Sequence, residues 1–265
     1  MSGFGSQGTN VVWFDLAFPF IHFSPISPFP PSPMDLILTG TQQAFWLLLS
    51  GDPEVWRITF LSLQISLSAT FISLLFGIPL GAFLALKEFP GRRFVISLVN
   101  TGMSLPPVVV GLFVTIFLWR NGPFGFFRLL YTPTAMVLAQ VIIAAPIVIG
   151  LTLAAIQQLN PKLRLQILAL GASRSQMVWL LLREARLPLL AAVMAGFGGV
   201  ISEIGASMMV GGNLLGHTRV LTTATVMETS KGNFDIAIAL SVILLLLIFA
   251  VNAMLTYTQQ RQRPL

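Results

Sequence analysis

Cysteine is absent from the 265 residues of this sequence, and histidine occurs only twice, at His22 and His217. The lack of cysteine excludes disulfides, thiolate metal ligands and a cysteine nucleophile. The two histidines lie far apart and in no spacing typical of metal ligands, so no metal site is predicted. The phosphate-binding pattern G-x-x-x-x-G-K-[ST] is also missing, which excludes ATP hydrolysis by that route in this chain. No catalytic constellation and no cofactor are predicted.

Charged residues are scarce as well. They make up 9% of the sequence, whereas hydrophobic residues make up 55%, and the mean hydropathy is +0.85. This composition is typical of an integral membrane protein. The net charge of +6 comes from fifteen basic residues scattered between apolar runs. Because no basic patch or recognition module accompanies them, binding to nucleic acid is not predicted.

Five apolar segments are long enough to cross about 30 Å of hydrocarbon, which takes roughly 20 helical residues. They cover residues 58–86, 94–118, 134–159, 188–213 and 235–258. Residues 36–50 are apolar but too short to span, and predict a helix that lies at the interface or tucks against the bundle. The predicted fold class is an all-α integral membrane protein with five transmembrane helices, a short N-terminal interfacial helix and a cytoplasmic helix-turn-helix.

Residues 1–33 are rich in Phe, Pro, Ser and Gly, and contain SPISPFPPSP at 24–33. Such a density of proline cannot continue a helix, so we predict an irregular tail. The first basic residue is Arg57, so the tail does not resemble a secretory signal. We expect the natural protein to begin at Met34, with a transmembrane domain over residues 34–258 and a cytoplasmic tail over 259–265.

Lysine and arginine are distributed unequally between the two sets of connections. The set with the segments near residues 87–93 and 162–186 and the C-terminus holds ten of them, and the other set holds five. Because the more basic side of a membrane protein faces the cytoplasm, we predict an external N-terminus and a cytoplasmic C-terminus. The expected location is the cell's inner membrane.

Prolines and small residues mark the predicted spans. Pro79 and Pro146 are interpreted as kinks inside the bundle. The pair Pro106-Pro107, preceded by Ser104, instead favours a broken helix that lines a cavity. One face of the first span is predicted to pack closely against another helix. Its small residues recur every three or four positions: Ser62, Ser66, Thr70, Ser73, Gly77 and Gly81.

Glu203 lies in the fourth predicted span, where an ionisable side chain is costly. Two interpretations stay open: the carboxyl takes part in translocation, or it is structural and hydrogen-bonds backbone groups or a subunit interface. The residues that follow, from 211 to 235, are too polar and glycine-rich to span. They predict an external loop with a partly inserted helix near 218–230.

The stretch LALGASRSQMVWLLLREARLPLL, residues 168–190, concentrates charge in an otherwise apolar sequence. Asn160-Pro161 is a helix-start signal, a helix can run to Leu170 and turn at Gly171, and Ser173 can cap the next helix. Leu187-Pro188 then opens the fourth span. A compact helix-turn-helix with an apolar face and basic flanks suits docking into a groove of a soluble partner.

This stretch resembles the cytoplasmic loop of ABC importer permeases. The family pattern is Glu-Ala-Ala, three residues, Gly, nine residues, Ile, one residue, Leu-Pro. Gly171-Ala172-Ser173, Gln176 and Leu187-Pro188 match its surroundings. Leu165-Gln166-Ile167 stand at the Glu-Ala-Ala positions, and the distance from Gly to Leu-Pro is four residues longer, about one helical turn.

Other segments narrow the resemblance, which extends over residues 34–258. SLPPVVVGL (104–112) and NGPFG (121–125) are similar to motifs of molybdate-type permeases. The combination of REAR (183–186), SEIGASMMVGGN (202–213) and ETSKGNFD (228–235) most resembles the tungstate-type branch of the molybdate, tungstate and sulfate group.

The resemblance implies a homodimer in membrane lipid that imports an oxyanion into the cytoplasm, tungstate first and molybdate next. It also implies two ATP-binding subunits on the cytoplasmic side and an extracytoplasmic oxyanion-binding protein. The implied ATPase-coupling loop contains Arg164, Leu165, Gln166, Ile167, Leu170, Gly171, Ala172, Ser173 and Gln176. Candidates for the translocation path or its gate are Ser104, Pro106, Pro107, Glu203, Ser207, Asn213, His217, Thr218 and Arg219. A secondary transporter or channel for a small anion is the alternative, although the sequence has no detectable internal repeat or charged relay.

Overall fold

The computed structural model of the protein describes residues 32–260, and within that range it contains helices and no strand. Residues 1–31 of the predicted 1–33 tail lie outside this range, as do the last five residues; Pro33, predicted as part of the tail, is the first residue of the first helix. The α-helices are α1 Pro33–Ser50, α2 Pro53–Leu86, α3 Arg92–Met103, α4 Pro107–Leu118, α5 Pro133–Gln157, α6 Pro161–Ala169, α7 Arg174–Glu184, α8 Arg186–Ile201, α9 Gly205–Gly211, α10 Leu221–Ser230 and α11 Phe234–Gln260. A 3-10 turn covers Gly125–Phe127.

Proline sets the start of many of these helices. It occupies the first helical position of α1, α2, α4, α5 and α6. The missing N–H costs nothing there, because the first amides of a helix have no partner inside it. Side-chain caps complete four of these starts: Ser32, Asp52, Thr132 and Asn160 each accept a hydrogen bond from an amide in the first turn. Local sequence therefore fixes where these helices begin.

The number of spans depends on two bent helix pairs. Helices α2, α5 and α11 are each long and apolar enough to cross a membrane. The segments 94–118 and 188–213 do not form single helices: α3 and α4 meet at 101°, and α8 and α9 meet at 56°. Five spans result when each pair is taken as one span. The break at Pro106-Pro107 confirms the predicted broken helix, and its lining of a cavity stays a prediction. The break at 202–204 corrects the expected continuous fourth span.

The α2–α5 pair forms the centre of the bundle. Every member of the predicted small-residue face of α2 is buried, and a Cβ built on Gly77 would lie 2.7 Å from Val148 on α5. At Gly81 the added Cβ would lie 2.7 Å from the Ile149 carbonyl oxygen. Such closeness requires glycine, because any larger side chain would push the backbones apart. The predicted packing role of this face is confirmed.

The predicted N-terminal helix is present and packs along α11. It begins three residues earlier than expected, at Pro33, because Ser32 and Asp35 form a capping box. Gly40 is buried against Ile238 of α11, while Trp46 and Leu49 on its other faces are exposed. Helix α10 completes this side of the bundle, where Leu221 and Ala224 share a buried cluster with Ala239 and Leu240 of α11.

Candidate functional site

The two bent pairs pack through their second halves, α4 and α9. A Cβ on Gly111 of α4 would lie 2.7 Å from the Cα of Ala206, and one on Gly205 would lie 2.6 Å from a methyl group of Val108. The absence of side chains at these two positions lets the helices cross almost in backbone contact. The helices that follow the two breaks, α4 and α9, are therefore in close contact with each other.

Glu203 lies in the α8–α9 break and is 6% exposed. Its Oε1 accepts a hydrogen bond from the Ala206 amide at 2.8 Å, so the carboxyl caps the start of α9. Its backbone carbonyl oxygen accepts from the Thr222 hydroxyl at 3.0 Å. The sequence left a structural and a translocation role open, and this geometry matches the structural one. The role in transport stays a hypothesis.

Gln140, in the first half of α5, was not singled out from the sequence. Its Nε2 lies 3.2 Å from the Ser207 hydroxyl and 3.5 Å from the Val200 carbonyl oxygen, so it bonds to both sides of the α8–α9 break. Its Oε1 is buried and has no hydrogen-bond partner within residues 32–260. The available signal was an amide side chain inside a 25-residue apolar helix, whose other amide, Gln157, is at its end; a buried polar group is costly unless it bonds.

The other predicted path residues do not form one cluster. Ser104, Pro106 and Pro107 lie at the exposed α3–α4 bend. Ser207 is buried beside Gln140. Thr218 is fully buried, donating to the Gly211 carbonyl oxygen at 2.6 Å and accepting from the Leu214 amide at 3.0 Å.

The loop between α9 and α10 holds the last three candidates. Asn213 has φ +51°, and its buried Oδ1 has no hydrogen-bond partner within residues 32–260. His217 is exposed. Arg219 lies with Nη1 3.6 Å from Oε1 of Glu54, at the start of α2. Thr218 thus holds the loop together, whereas Arg219 extends toward another helix.

Glu228, at the end of α10, is held by two donors. Lys231 Nζ and Asn233 Nδ2 donate to its carboxylate oxygens at 2.8 and 2.7 Å. Burial opposes the charged form, but these two bonds, together with the charges of Lys231 and Arg219, outweigh it and lower the pKa of Glu228. Glu228 was not singled out from the sequence, although the ETSKGNFD segment contains both of its hydrogen-bond donors, Lys231 and Asn233.

Helices α6 and α7 form the predicted helix-turn-helix, called here the loop module (residues 160–184). Gly171 turns the chain with φ +84°, a conformation that favours glycine. Ser173 caps α7 in a capping box with Gln176. The predicted boundaries are confirmed to within one residue at the turn. Its role in coupling stays a prediction.

The loop module is fastened to the ends of α2 and α5. Its core of Ile167, Met177 and Leu181 packs against Leu86 and Leu159, the last two lying at the ends of those long helices. Arg164 donates from Nη1 to the Leu86 carbonyl oxygen at 3.1 Å, which satisfies a carbonyl that the end of α2 leaves free. Displacement of the module therefore bears directly on the central helix pair.

The outer surface of the loop module remains apolar and exposed. Leu165 is 67% exposed and Leu170 is 88% exposed. Trp179 is also exposed and carries the Arg183 guanidinium 5.4 Å from its ring centroid. In the part of the chain that the structure describes, the loop module included, no group of three His, Cys, Asp or Glu side chains could hold a metal ion.

In comparisons with known proteins, this chain is similar to transport permeases. The profile of the family described as "Binding-protein-dependent transport system inner membrane component" matches residues 77–264. A tungstate uptake system permease protein of Peptoclostridium acidaminophilum is 42% identical over 227 residues, covering 86% of this chain and 100% of the relative. One of Campylobacter jejuni is 39% identical over 222 residues, with coverages of 83% and 92%. A molybdenum transport system permease protein of Escherichia coli is 29% identical over 216 residues, with coverages of 76% and 94%.

Two solved structures share the fold. The inward-facing MetNI methionine ABC transporter gives a TM-score of 0.65 at 20% identity, covering 84% of this chain and 99% of that chain. A bacterial ABC transporter for the acidic polysaccharide alginate gives 0.67 at 20% identity, with coverages of 87% and 89%. At this identity the likeness concerns the fold alone.

Proposed function

The chain belongs to the binding-protein-dependent transport system inner membrane component family, and from that premise we propose that it imports a tetrahedral oxyanion, tungstate before molybdate. The observation that carries the proposal is 42% identity along the full length of a tungstate uptake permease. The lower identity to a molybdenum permease, 29%, supports the order of preference. Transport runs into the cytoplasm, with the anion delivered by an extracytoplasmic binding protein.

The energy comes from a separate ATPase that docks on the loop module. This chain contains no phosphate-binding loop, whereas Leu165 and Leu170 present an exposed apolar surface beside basic side chains. Burial of a large exposed leucine contributes about 1.5–3 kcal/mol to association. Because the module core includes Leu86 and Leu159, movement of the docked ATPase would shift the ends of α2 and α5.

Two copies of the chain enclose the path, and the loop module faces the cytoplasm. The bent pairs support a position beside the path, because backbone groups released from a helix need water or protein partners at membrane depth. The exposed bend at Ser104 and Pro106 is the candidate lining. Glu203 holds the break at α9 in shape and does not contact the anion.

Reconstitution tests this function. The chain, its co-expressed ATPase and the binding protein are placed in liposomes, and internal tungsten is measured by mass spectrometry. We expect uptake that requires ATP hydrolysis, is competed better by molybdate than by sulfate, and stops without the binding protein. Uptake that continues without the ATPase subunit would instead identify a channel or secondary transporter.

Docking is tested with a matched pair of substitutions. Leu170→Gln in the loop module should remove the ATPase during co-purification. Leu49→Gln changes a side chain of nearly equal exposure, 87% against 88%, but lies on α1 outside the module, and it should retain the ATPase. Equal recovery of ATPase with both variants would contradict docking on this surface.

A further inference from the structure

An open cavity of about 300 Å³ lies between the start of α2 and the loop that joins α9 to α10. Its charged lining consists of Glu54 and Arg57 from α2 and Arg219 from the loop. One water occupies about 30 Å³ in the liquid, so the cavity has room for a tetrahedral oxyanion and several waters. The charged groups of the lining sum to +1.

One donor of the Arg219 side chain, Nε, lacks the acceptor that its burial requires. Its side chain is only 14% exposed, and its Nε is buried with no hydrogen-bond partner within residues 32–260. Nη1 lies 3.6 Å from Glu54 Oε1, which is an ion pair beyond hydrogen-bond length. A buried donor without an acceptor is costly. This arginine therefore has one donor without an acceptor and a second, Nη1, that is not fully engaged.

Arg57 is held near the same space. Its Nη2 donates to the Gly216 carbonyl oxygen, which fixes the guanidinium against the loop, and the side chain is otherwise exposed. Gly216 has φ +75°, and a Cβ built there would lie 3.2 Å from Arg57 Nη1. Two guanidinium groups therefore line one cavity. The planar donor fork of arginine suits the oxygens of phosphate-like anions.

The cavity and the loop module lie at opposite ends of α2. The 34 residues of this helix correspond to roughly 50 Å of length. Arg164 of the module contacts Leu86 at one end, and Arg57 is in the second turn at the other end. If the module meets the ATPase, the cavity opens on the extracytoplasmic side.

We propose that Arg57 and Arg219 form an outer-face site for a tetrahedral oxyanion, with Glu54 as a competing internal anion that must release Arg219. This inference rests on the proposed direction and substrate class. The site holds the anion weakly on its way from the binding protein. Glu54 has a side-chain exposure of 34%, so it has room to swing away when the anion enters.

Equilibrium dialysis of the purified full-length chain tests the site without a binding protein or ATPase. Tungstate, molybdate and sulfate are the probes, and the bound metal or labelled sulfate is counted. Arg219→Gln and Arg57→Gln should each weaken tungstate binding by roughly tenfold, as loss of a hydrogen bond to a charged group would. Glu54→Gln should strengthen it several-fold, because the competing carboxylate is gone.

Controls separate this site from nonspecific attraction. Arg120→Gln removes one positive charge from an exposed residue at the end of α4 that does not line the cavity, and it should bind tungstate as the wild type does. A loss of binding in Arg120→Gln equal to that in Arg57→Gln would overturn the site, because net charge alone would then explain the effect. Weaker binding in Glu54→Gln would also overturn it.

The remaining outcomes distinguish the site from the proposed function. If wild-type liposomes import tungstate but the chain binds no oxyanion, the site is wrong and the function stands. If the variants follow the predicted order in dialysis but no uptake occurs, the site stands and the function is wrong. Variants that weaken only the attachment of the binding protein, without free-anion binding, would assign the arginines to a carboxylate of that partner and overturn the proposal.

Discussion

Replacement of Glu203 separates a structural carboxyl from a transport group. Its Oε1 accepts the Ala206 amide at 2.8 Å, and Ala206 is fully buried. In Glu203→Ala that amide loses its acceptor, which should lower the free energy of unfolding by about 1–3 kcal/mol. For a chain of this size each kcal/mol corresponds to about 2–4 °C in Tm. In Glu203→Gln the amide oxygen can still accept, so we expect a cost below about 1 kcal/mol.

The assay combines Tm in detergent with uptake in liposomes. Thr222→Val serves as the control, because it keeps the side-chain shape and removes a different hydrogen bond at the break, the one to the Glu203 carbonyl oxygen at 3.0 Å. We expect a lower Tm for Glu203→Ala and Thr222→Val, with uptake per folded protein preserved in Glu203→Gln. A Glu203→Gln variant with wild-type Tm and lost uptake would refute the structural assignment, and so would an unchanged Tm in Glu203→Ala.

Three further results are expected. Folding lowers the pKa of Glu228, so this carboxylate stabilises the fold fully above its ordinary pKa, and the stabilisation is lost as the pH falls through the lowered pKa. The Tm advantage of wild type over Glu228→Gln should therefore shrink below about pH 4.3. A difference in Tm that stays constant with pH would contradict this. Gly171→Val should abolish ATP-coupled uptake, because φ is +84° at this position. Gly171→Asn should retain uptake, because asparagine tolerates that conformation. Normal uptake by the Val variant with the ATPase bound would contradict this expectation. Gly111→Ala should lower Tm, because the new Cβ would lie 2.7 Å from the Ala206 Cα. Gly198→Ala should leave Tm unchanged, because none of the described residues lies near the position of its Cβ. Equal Tm values for the two variants would contradict a tight contact between α4 and α9.

The sequence predicted those features that depend on neighbouring residues. Asn160-Pro161, Gly171 and Ser173 specify the loop module through caps and one left-handed turn, and these signals act within a few residues. The small-residue face of α2 was equally readable, because helical periodicity alone places its members together. Pro106-Pro107 predicted the break between α3 and α4, because two successive prolines lack the backbone N–H donors that a continuous helix requires.

The remaining features depend on contacts between distant segments. The break at 202–204 contains no proline, and its polar groups are satisfied by Thr222 and by bonds on either side from Gln140. Arg57 and Glu54 meet the loop of Arg219 across more than 150 positions. Contacts between such distant residues produce no periodic or local pattern in the sequence. The sequence therefore predicted which residues could line the path, but not which residues they contact.

The shared core of the loop module limits how freely it can be exchanged between relatives. Ile167 occupies the last of the three Glu-Ala-Ala positions, yet here it is buried with Met177 against Leu86. An alanine there, as the family pattern has, would leave a cavity that costs about 2–5 kcal/mol unless the ends of α2 and α5 changed in compensation. A chimera that receives only residues 160–184 from a relative would contain the module's side of this core without the matching residues at the ends of α2 and α5. Substitutions in the module and at Leu86 and Leu159 should therefore arise together among descendants of one ancestral permease.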